Sequence, residues 1–322
     1  MSMKLHQDVN LFKGAIRNTA QQLNIPPEFV EKDYWVTYAL HSIFRSEIGQ
    51  DAVFKGGTAL LKCFNLIERF SEDIDLVVLR RKGETDSRLK SKLKAVSNTL
   101  LDELPEIEME GITHKMGMIR KTAHGYEKLF GDNYIQVRDV IVLESTWLGH
   151  FEPSRTGSIV SFVGNMMLKG EQTAMAKENG LLPFEVRVLE PTRTMCEKIM
   201  SLVRFSYGER ALENLKKKVR HTYDLHKLLL QKELTEFLHS SEFDDMLLKV
   251  ANDDVLSYRN NNGWLIYHPN KAIIFADLEN VWSELKAVYN GDFRSLVFGD
   301  LPKDDDVLST LQMIKKRLNA CP

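Results

Sequence analysis

Asp73 and Asp75 stand one residue apart at the head of an apolar run that continues to Leu79, and carboxylates so placed can do chemistry. Side chains alternate across a strand, so the pair points to one face while Ile74, Leu76 and Val78 point to the other, into a core. Two carboxylates a few ångström apart repel each other unless a cation lies between them. Mg²⁺ suits that position, because it takes oxygen ligands and commonly binds one or two carboxylates together with substrate phosphates. Upstream lies Gly56-Gly57-Thr58. Paired glycines let the backbone approach a ligand closely, and a helix beginning at Thr58 aims free N–H groups at an anion. A phosphate cradle beside a metal-holding strand is the equipment of nucleotidyl transfer.

Either motif alone carries little. A lone Asp-X-Asp is usually a solvated edge or turn pair, and a lone Gly-Gly is usually a turn. In this order, with a short apolar helix pattern between them, they are far more specific. Arg69 and Ser71 precede the strand. Taken singly they are a surface residue and a turn former. Beside a phosphate cradle they offer a guanidinium fork and a hydroxyl to triphosphate oxygens.

Lys55-Gly56-Gly57-Thr58 followed by Arg69-x-Ser71-x-Asp73-Ile74-Asp75-Leu76 resembles the signature of the AbiEii/AbiGii family of nucleotidyltransferase toxins. That family includes the MenT-type toxins and belongs to the polymerase-β-like superfamily. Three further stretches carry the likeness: Glu31-Lys32-Asp33-Tyr34, the run Thr194 to Leu202 around Lys198, and Arg220-His221-x-Tyr223-Asp224-Leu225-x-x-Leu228. The resemblance implies nucleotide binding by Lys55, Gly56, Gly57, Thr58, Arg69 and Ser71. It gives Lys198 a catalytic or triphosphate role, in which an ammonium neutralises developing charge. Asp224 becomes the functional acid that orients substrate or Lys198. Polymerase-β-like folds need a third carboxylate on a strand beside the Asp-X-Asp strand. Glu144, ending the most apolar strand of its region, is the candidate, with Asp139 as the alternative.

Each of these residues also has a plain structural reading. Glu31 to Tyr34 fit a capped amphipathic helix with charges on its solvent face, which is the preferred reading, with a supporting role open to Lys32 or Asp33. Lys198 fits a solvent-facing mid-helix lysine, and Asp224 a surface acid paired with Arg220 or Lys227 at helical spacing. Glu144 fits an exposed strand end. The match to the family pattern favours function for Lys198 and Asp224. His221 and His226 lack metal-ligand companions and read as surface or contact residues.

The elements that must position these groups follow from periodicity and breakers. Helices are predicted over 5–23, from Pro26-Pro27 to Phe44, over Asp86 to Glu103, from Glu190 past Val203, and over Leu212 to Leu230. Between 106 and 147 a β meander is predicted, with strands at 107–109, 115–118, 128–130, 135–137 and 140–144. Strands follow near 158–163 and at 185–189. The remainder, 233–322, reads as helices at 233–238, 243–252, 271–289 and 304–319. The fold class is α/β: a polymerase-β-like nucleotidyltransferase lobe with a mixed sheet over residues 1–189, then a helical lobe over 190–322 that contributes Lys198 and Asp224.

The 322 residues are 43% hydrophobic and 27% charged, which describes an ordinary globular chain with room for a sizeable core. A formal net charge of −2 supplies no global basic field for nucleic acid, so such binding has to use local patches. The run Arg80-Arg81-Lys82, Arg88, Lys90, Lys92 and Lys94 admits two readings, a solvated helix face or an RNA backbone contact, and so does 216–221. Three scattered cysteines show neither metal spacing nor a disulfide framework and suit a reducing cytoplasm. No stretch approaches a membrane span, so no membrane partner is expected.

The resemblance therefore implies a Mg²⁺-dependent, two-metal transfer of a nucleoside monophosphate from an NTP, releasing pyrophosphate. The implied protein is a toxin partnered by an AbiEi-like transcriptional-regulator antitoxin, with the 3′ end of tRNA as acceptor and translation as the process blocked. The alternatives are transfer to a protein or a small molecule, and a non-catalytic nucleotide-binding module.

Overall fold

The computed structural model describes every residue except Met1, Glu72, 132–137, His150, 258–261 and 321–322. The strand expected at 135–137, and Cys321, lie outside the described residues. The chain divides into two compact units. One comprises 1–64, 70–147 and 154–188, and the other 65–69, 148–153 and 189–322.

The first unit is built on a mixed sheet of seven strands: β1 (Ala52–Lys55), β2 (Asp73–Val78), β3 (Glu106–Ile107), β4 (Ile119–Gly125), β5 (Val140–Thr146), β6 (Ser154–Ile159) and β7 (Phe184–Leu189). Their order is β3-β4-β5-β2-β1-β7-β6, which puts the aspartate strand at the centre. Its helices are α1 (Val9–Leu23), α2 (Pro27–Arg45), α3 (Gly56–Lys62), α4 (Asp86–Asn98), α5 (Phe162–Lys169) and α6 (Thr173–Glu178). Ile74, Leu76 and Val78 of β2 are buried, with Val53 and Phe54 of β1 and Val142 and Leu143 of β5. A strand flanked on both sides is apolar on both faces once past its functional end, and Val77 is buried accordingly.

Sheet register decides what meets at the functional end. β1 and β2 are antiparallel with Lys55 opposite Asp75, so the end of one strand lies beside the start of the other. β2 and β5 are parallel with Asp75 opposite Glu144 and Asp73 opposite Val142.

Several predicted elements are corrected. Residues 115–118 and 128–130 are not strands, and β4 instead begins at Ile119. The strand near 158–163 falls at 154–159, with Ser161 capping α5 through Gly164 N–H. α4 starts where predicted, with Thr85 accepting Arg88 N–H, and ends at Asn98 rather than Glu103.

The largest correction is in α2, whose charges do not face solvent. Glu31, Lys32 and Asp33 are all buried, because each is matched by polar groups of another element. Glu31 accepts hydrogen bonds from Leu129 N–H and Phe130 N–H at 2.8 and 3.1 Å. Lys32 Nζ donates to Arg138 O at 2.6 Å and also to Val140 O, at the start of β5. Asp33 pairs with Lys62 at 2.6 Å and accepts Phe162 N–H at 2.7 Å. Lys62 is the last residue of α3, so Asp33 fixes the far end of the helix that begins at the glycines.

The second unit is helical: α7 (Pro191–Phe205), α8 (Ala211–Lys216), α9 (Val219–Leu229), α10 (Lys232–Leu238), α11 (Ser241–Ser257), α12 (Ile273–Ala276), α13 (Leu278–Asn290) and α14 (Asp304–Asn319). The single helix expected over 212–230 is two, broken at Lys217-Lys218. Lysines there favour a helix C-terminus, where carbonyls gather partial negative charge. The stretch predicted as one helix over 271–289 is divided likewise, at Asp277.

Asp33→Ala leaves the Lys62 ammonium buried without its carboxylate and Phe162 N–H without its acceptor. It is expected to lower unfolding free energy by about 3–5 kcal/mol. A urea titration checks this as a shift in midpoint at unchanged slope, and a loss near zero would remove the pair from the list of supports.

Candidate functional site

The glycine turn and the aspartate strand touch. Gly56 has φ +81, a backbone conformation open to glycine and strained for other residues. A Cβ built there would lie 2.3 Å from Asp75 Oδ2. Gly56 thus does two things: it turns the chain from β1 into α3, and it leaves room for a carboxylate. α3 begins at Gly56, two residues before the predicted start at Thr58. Thr58 Oγ1 lies 2.9 Å from Ser71 Oγ and 2.5 Å from the Asp73 backbone carbonyl, so the two hydroxyls tie the helix start to the head of β2. Lys55 is the residue before the turn and is half-buried.

Asp73 and Asp75 are half-buried on the same face of β2, as alternation requires. Asp73 Oδ1 receives Arg138 Nη1 at 3.3 Å. Glu144 is the register neighbour of Asp75, but its carboxylate lies 3.1 Å from Lys121 Nζ on β4. Asp139, the alternative third acid, is exposed and paired with Lys128. Among the described residues no group of three or more Asp, Glu, His or Cys side chains gathers closely enough to hold a metal. The two β2 carboxylates nevertheless supply hard oxygen donors beside a glycine turn, a donor set that fits Mg²⁺ with phosphate oxygens completing its shell.

In the helical unit the decisive group is Asp224, fully buried in α9. It pairs with neither Arg220 nor Lys227. Arg69 grips both of its oxygens, Nε to Oδ1 at 2.6 Å and Nη2 to Oδ2 at 2.7 Å. Lys198 Nζ, from α7, donates to Oδ2 at 2.6 Å. The guanidinium fork expected to meet triphosphate oxygens is therefore engaged by a carboxylate, and Arg69 itself is 2% exposed. Lys198 does not face solvent either. Burial works to raise the Asp224 carboxyl, and Arg69 and then Lys198 overcome it, holding the group well below the usual carboxylate range. Burial pulls the Lys198 ammonium down, against the pull of Asp224.

His221, expected at the surface, belongs to the same cluster. Burial, and then Lys198 and Arg220, hold its imidazole well below the ordinary value, so it is neutral. Its Nδ1 is buried with no hydrogen-bond partner among the described residues. His226 donates to or accepts from Thr310 and is structural. The basic run at 80–94 is largely paired: Arg81 and Lys92 meet Asp51, and Lys92 and Arg88 meet Glu84. Lys90 and Lys94 remain exposed on α4. In the second basic stretch Lys216 meets Glu284 and Lys218 lies over the Phe205 ring.

The family model for the nucleotidyl transferase AbiEii toxin of type IV toxin–antitoxin systems matches residues 38–308, from within α2 to the first turn of α14. The chain belongs to the AbiEii family. It is accordingly a nucleotidyl transferase with an NTP substrate, and a toxin of a system that pairs it with an antitoxin. The mixed seven-stranded sheet with its surrounding helices is consistent with that fold. A comparison with curated proteins gives no match. No helix among the described residues is long and apolar enough to cross a membrane.

Two outcomes test this geometry. Gly56→Ala forces a Cβ into the Asp75 carboxylate, and a displacement of about 1 Å at a reacting centre costs roughly a hundredfold in rate. Transfer activity is expected to fall by about that factor with the melting transition retained, and unchanged activity would show that Asp75 tolerates the shift.

Asp224 has its folded pKa depressed below the unfolded value of about 4. The stability it supplies is present above that unfolded value and drains away as pH falls toward the folded one. Asp224→Asn is expected to flatten this acid limb in denaturation curves taken from pH 7 downward. It should also lower stability at pH 7 by about 3–5 kcal/mol, because two buried cations lose their common anion.

Proposed function

We propose that the protein transfers a nucleoside monophosphate from an NTP to an RNA acceptor, the 3′ end of tRNA, in a Mg²⁺-dependent reaction that blocks translation. The observation that carries the reaction type is the contact between Gly56 and Asp75. A phosphate-cradling turn and a metal-binding carboxylate share one volume, as a reaction on a metal-bound triphosphate requires.

In this reading the backbone at Gly56, Gly57 and Thr58 binds phosphate oxygens, and the Thr58–Ser71 hydroxyl pair holds the turn against Asp73. Asp73 and Asp75 hold the divalent ions. Metal ions bound there supply Lewis-acid activation of the acceptor hydroxyl and stabilise the leaving pyrophosphate. Lys198 carries three N–H donors, of which Asp224 takes one, and the others suit phosphate oxygens. Asp224 fixes the direction of that ammonium and keeps it charged against the cost of burial. Arg69 then acts on Asp224 and through it on Lys198, a positioning residue rather than a direct phosphate ligand.

The RNA acceptor is supported by the family resemblance, and the exposed Lys90 and Lys94 of α4 favour it only if they line the same groove as Asp75. The antitoxin, in the same reading, is an AbiEi-like transcriptional regulator, and toxin and target meet in the cytoplasm.

The test is transfer of label from each α-³²P-NTP onto total RNA and onto protein with Mg²⁺, for the wild type beside Asp75→Ala and Lys198→Ala. Label in a tRNA-sized band, lost by about a thousandfold in both variants, is the expected result. Label on protein keeps the metal chemistry and replaces the acceptor. A wild type that binds NTP and labels nothing overturns the reading.

A further inference from the structure

Arg138 has no part in the reaction just described, yet much of the first unit is arranged to place it. Lys32, fully buried on α2, donates to the backbone carbonyl of Arg138 itself and to that of Val140. Its ammonium also lies 5.5 Å from the centre of the Tyr126 ring. The preceding residue, Glu31, accepts the amides of Leu129 and Phe130, on the other flank of the same chain segment. Burying a lysine and a glutamate side by side is costly unless each is fully matched. Here both are matched to backbone on either side of one arginine. The Arg138 side chain is 44% exposed and reaches Asp73 Oδ1 through Nη1 at 3.3 Å. That distance is longer than the 2.7–2.9 Å of a strong charged hydrogen bond. A held backbone thus carries an exposed guanidinium beside a carboxylate of the β2 pair.

We infer that Arg138 is the resident counter-cation of Asp73 and competes with divalent metal for that carboxylate. The inference rests on the reading of Asp73 and Asp75 as metal-holding residues. Two carboxylates on one strand face need positive charge between or beside them. In the metal-free protein Arg138 supplies part of it. A divalent ion brings twice the charge in a smaller volume, so it takes the carboxylate and repels the guanidinium. The Nη1–Oδ1 contact with Asp73 is broken, and no proton moves. Because Lys32 holds the Arg138 backbone in place, the displaced side chain stays near the site, where the phosphates of a metal-bound nucleotide are its next anion. The Asp73 carboxylate is therefore neutralised in both states, by an internal cation before loading and by metal afterwards.

The experiment is Mn²⁺ binding to the nucleotide-free full-length protein, followed by electron paramagnetic resonance of free Mn²⁺. The wild type is compared with Arg138→Ala, Arg138→Lys and Asp73→Ala. Arg138→Ala is expected to bind Mn²⁺ about three- to fivefold more tightly, the scale of an exposed ion pair removed from competition. Arg138→Lys keeps the competing charge and should stay near the wild type, while Asp73→Ala weakens binding by more than about tenfold, since a carboxylate ligand is lost. Arg138→Ala binding equal to or weaker than the wild type, with Asp73→Ala still impaired, overturns the competition and leaves the metal strand intact. Asp73→Ala binding Mn²⁺ like the wild type, or no binding by any of the four, is a failure of the metal strand and of this inference with it.

Discussion

A side chain missing at Gly56 is what allows the glycine turn and the aspartate strand to meet. Oδ2 of Asp75 occupies the space where any other residue would place its Cβ. The turn needs positive φ and the carboxylate needs room, and only glycine satisfies both. The antiparallel register of β1 and β2 makes the meeting unavoidable, since Lys55 is opposite Asp75 and the glycines come next. A shift of one residue would turn both aspartates into the core. That outcome is opposed by the apolar set Ile74, Leu76 and Val78 on the other face, so the hydrophobic pattern of β2 is also what aims its carboxylates.

Both units rely on buried charge, and they use it differently. In the first, α2 presents Glu31, Lys32 and Asp33 in succession, and each is answered by backbone groups or by Lys62 from a distant stretch. Such contacts add little net stability over a well-packed apolar surface. They do fix direction, because a hydrogen bond weakens steeply once donor, hydrogen and acceptor leave a near-linear arrangement. Three consecutive residues thus locate the 129–130 segment, the start of β5 and the end of α3 relative to one helix. In the second unit a single carboxylate, Asp224, serves Arg69 and Lys198 together. Arg69 and Lys198 hold Asp224 ionised, and Asp224 supports the Lys198 ammonium against burial, so removing the carboxylate changes the surroundings of both cations.

Much of the fold and of the site was legible because it is local. The Asp73–Asp75 alternation and the helix opened by Pro191 declare themselves in residues a few positions apart, whereas Asp224 stood out only through the family resemblance. Glu144, the candidate third carboxylate, does lie on a strand beside β2 as the register neighbour of Asp75, although its carboxylate turns to Lys121. What was missed depends on partners remote in sequence. Glu-Lys-Asp on an amphipathic helix looks solvated until residues 129, 138, 140, 62 and 162 are brought to it. Arg69 looks like a phosphate ligand until Asp224, 155 positions away, takes both of its inner nitrogens. The false strands at 115–118 and 128–130 have the opposite cause: short apolar runs between glycines fit a strand or a loop equally well, and only pairing decides.

The same contrast explains why Arg138 could not be found from its neighbours in sequence. It falls between two stretches read as strands, 135–137 and 140–144, and an arginine there is unremarkable. Its significance comes from two contacts with residues 106 and 65 positions away, one made to its backbone by Lys32 and one made by its side chain to Asp73. Backbone held and side chain exposed is an uncommon combination for a long cationic residue, since fixing such a side chain ordinarily costs rotamer entropy. Here Lys32 holds the main chain just before β5, while the guanidinium stays 44% exposed beside Asp73. The cation beside Asp73 is thus carried by an exposed side chain, on a main chain that a buried lysine keeps in place.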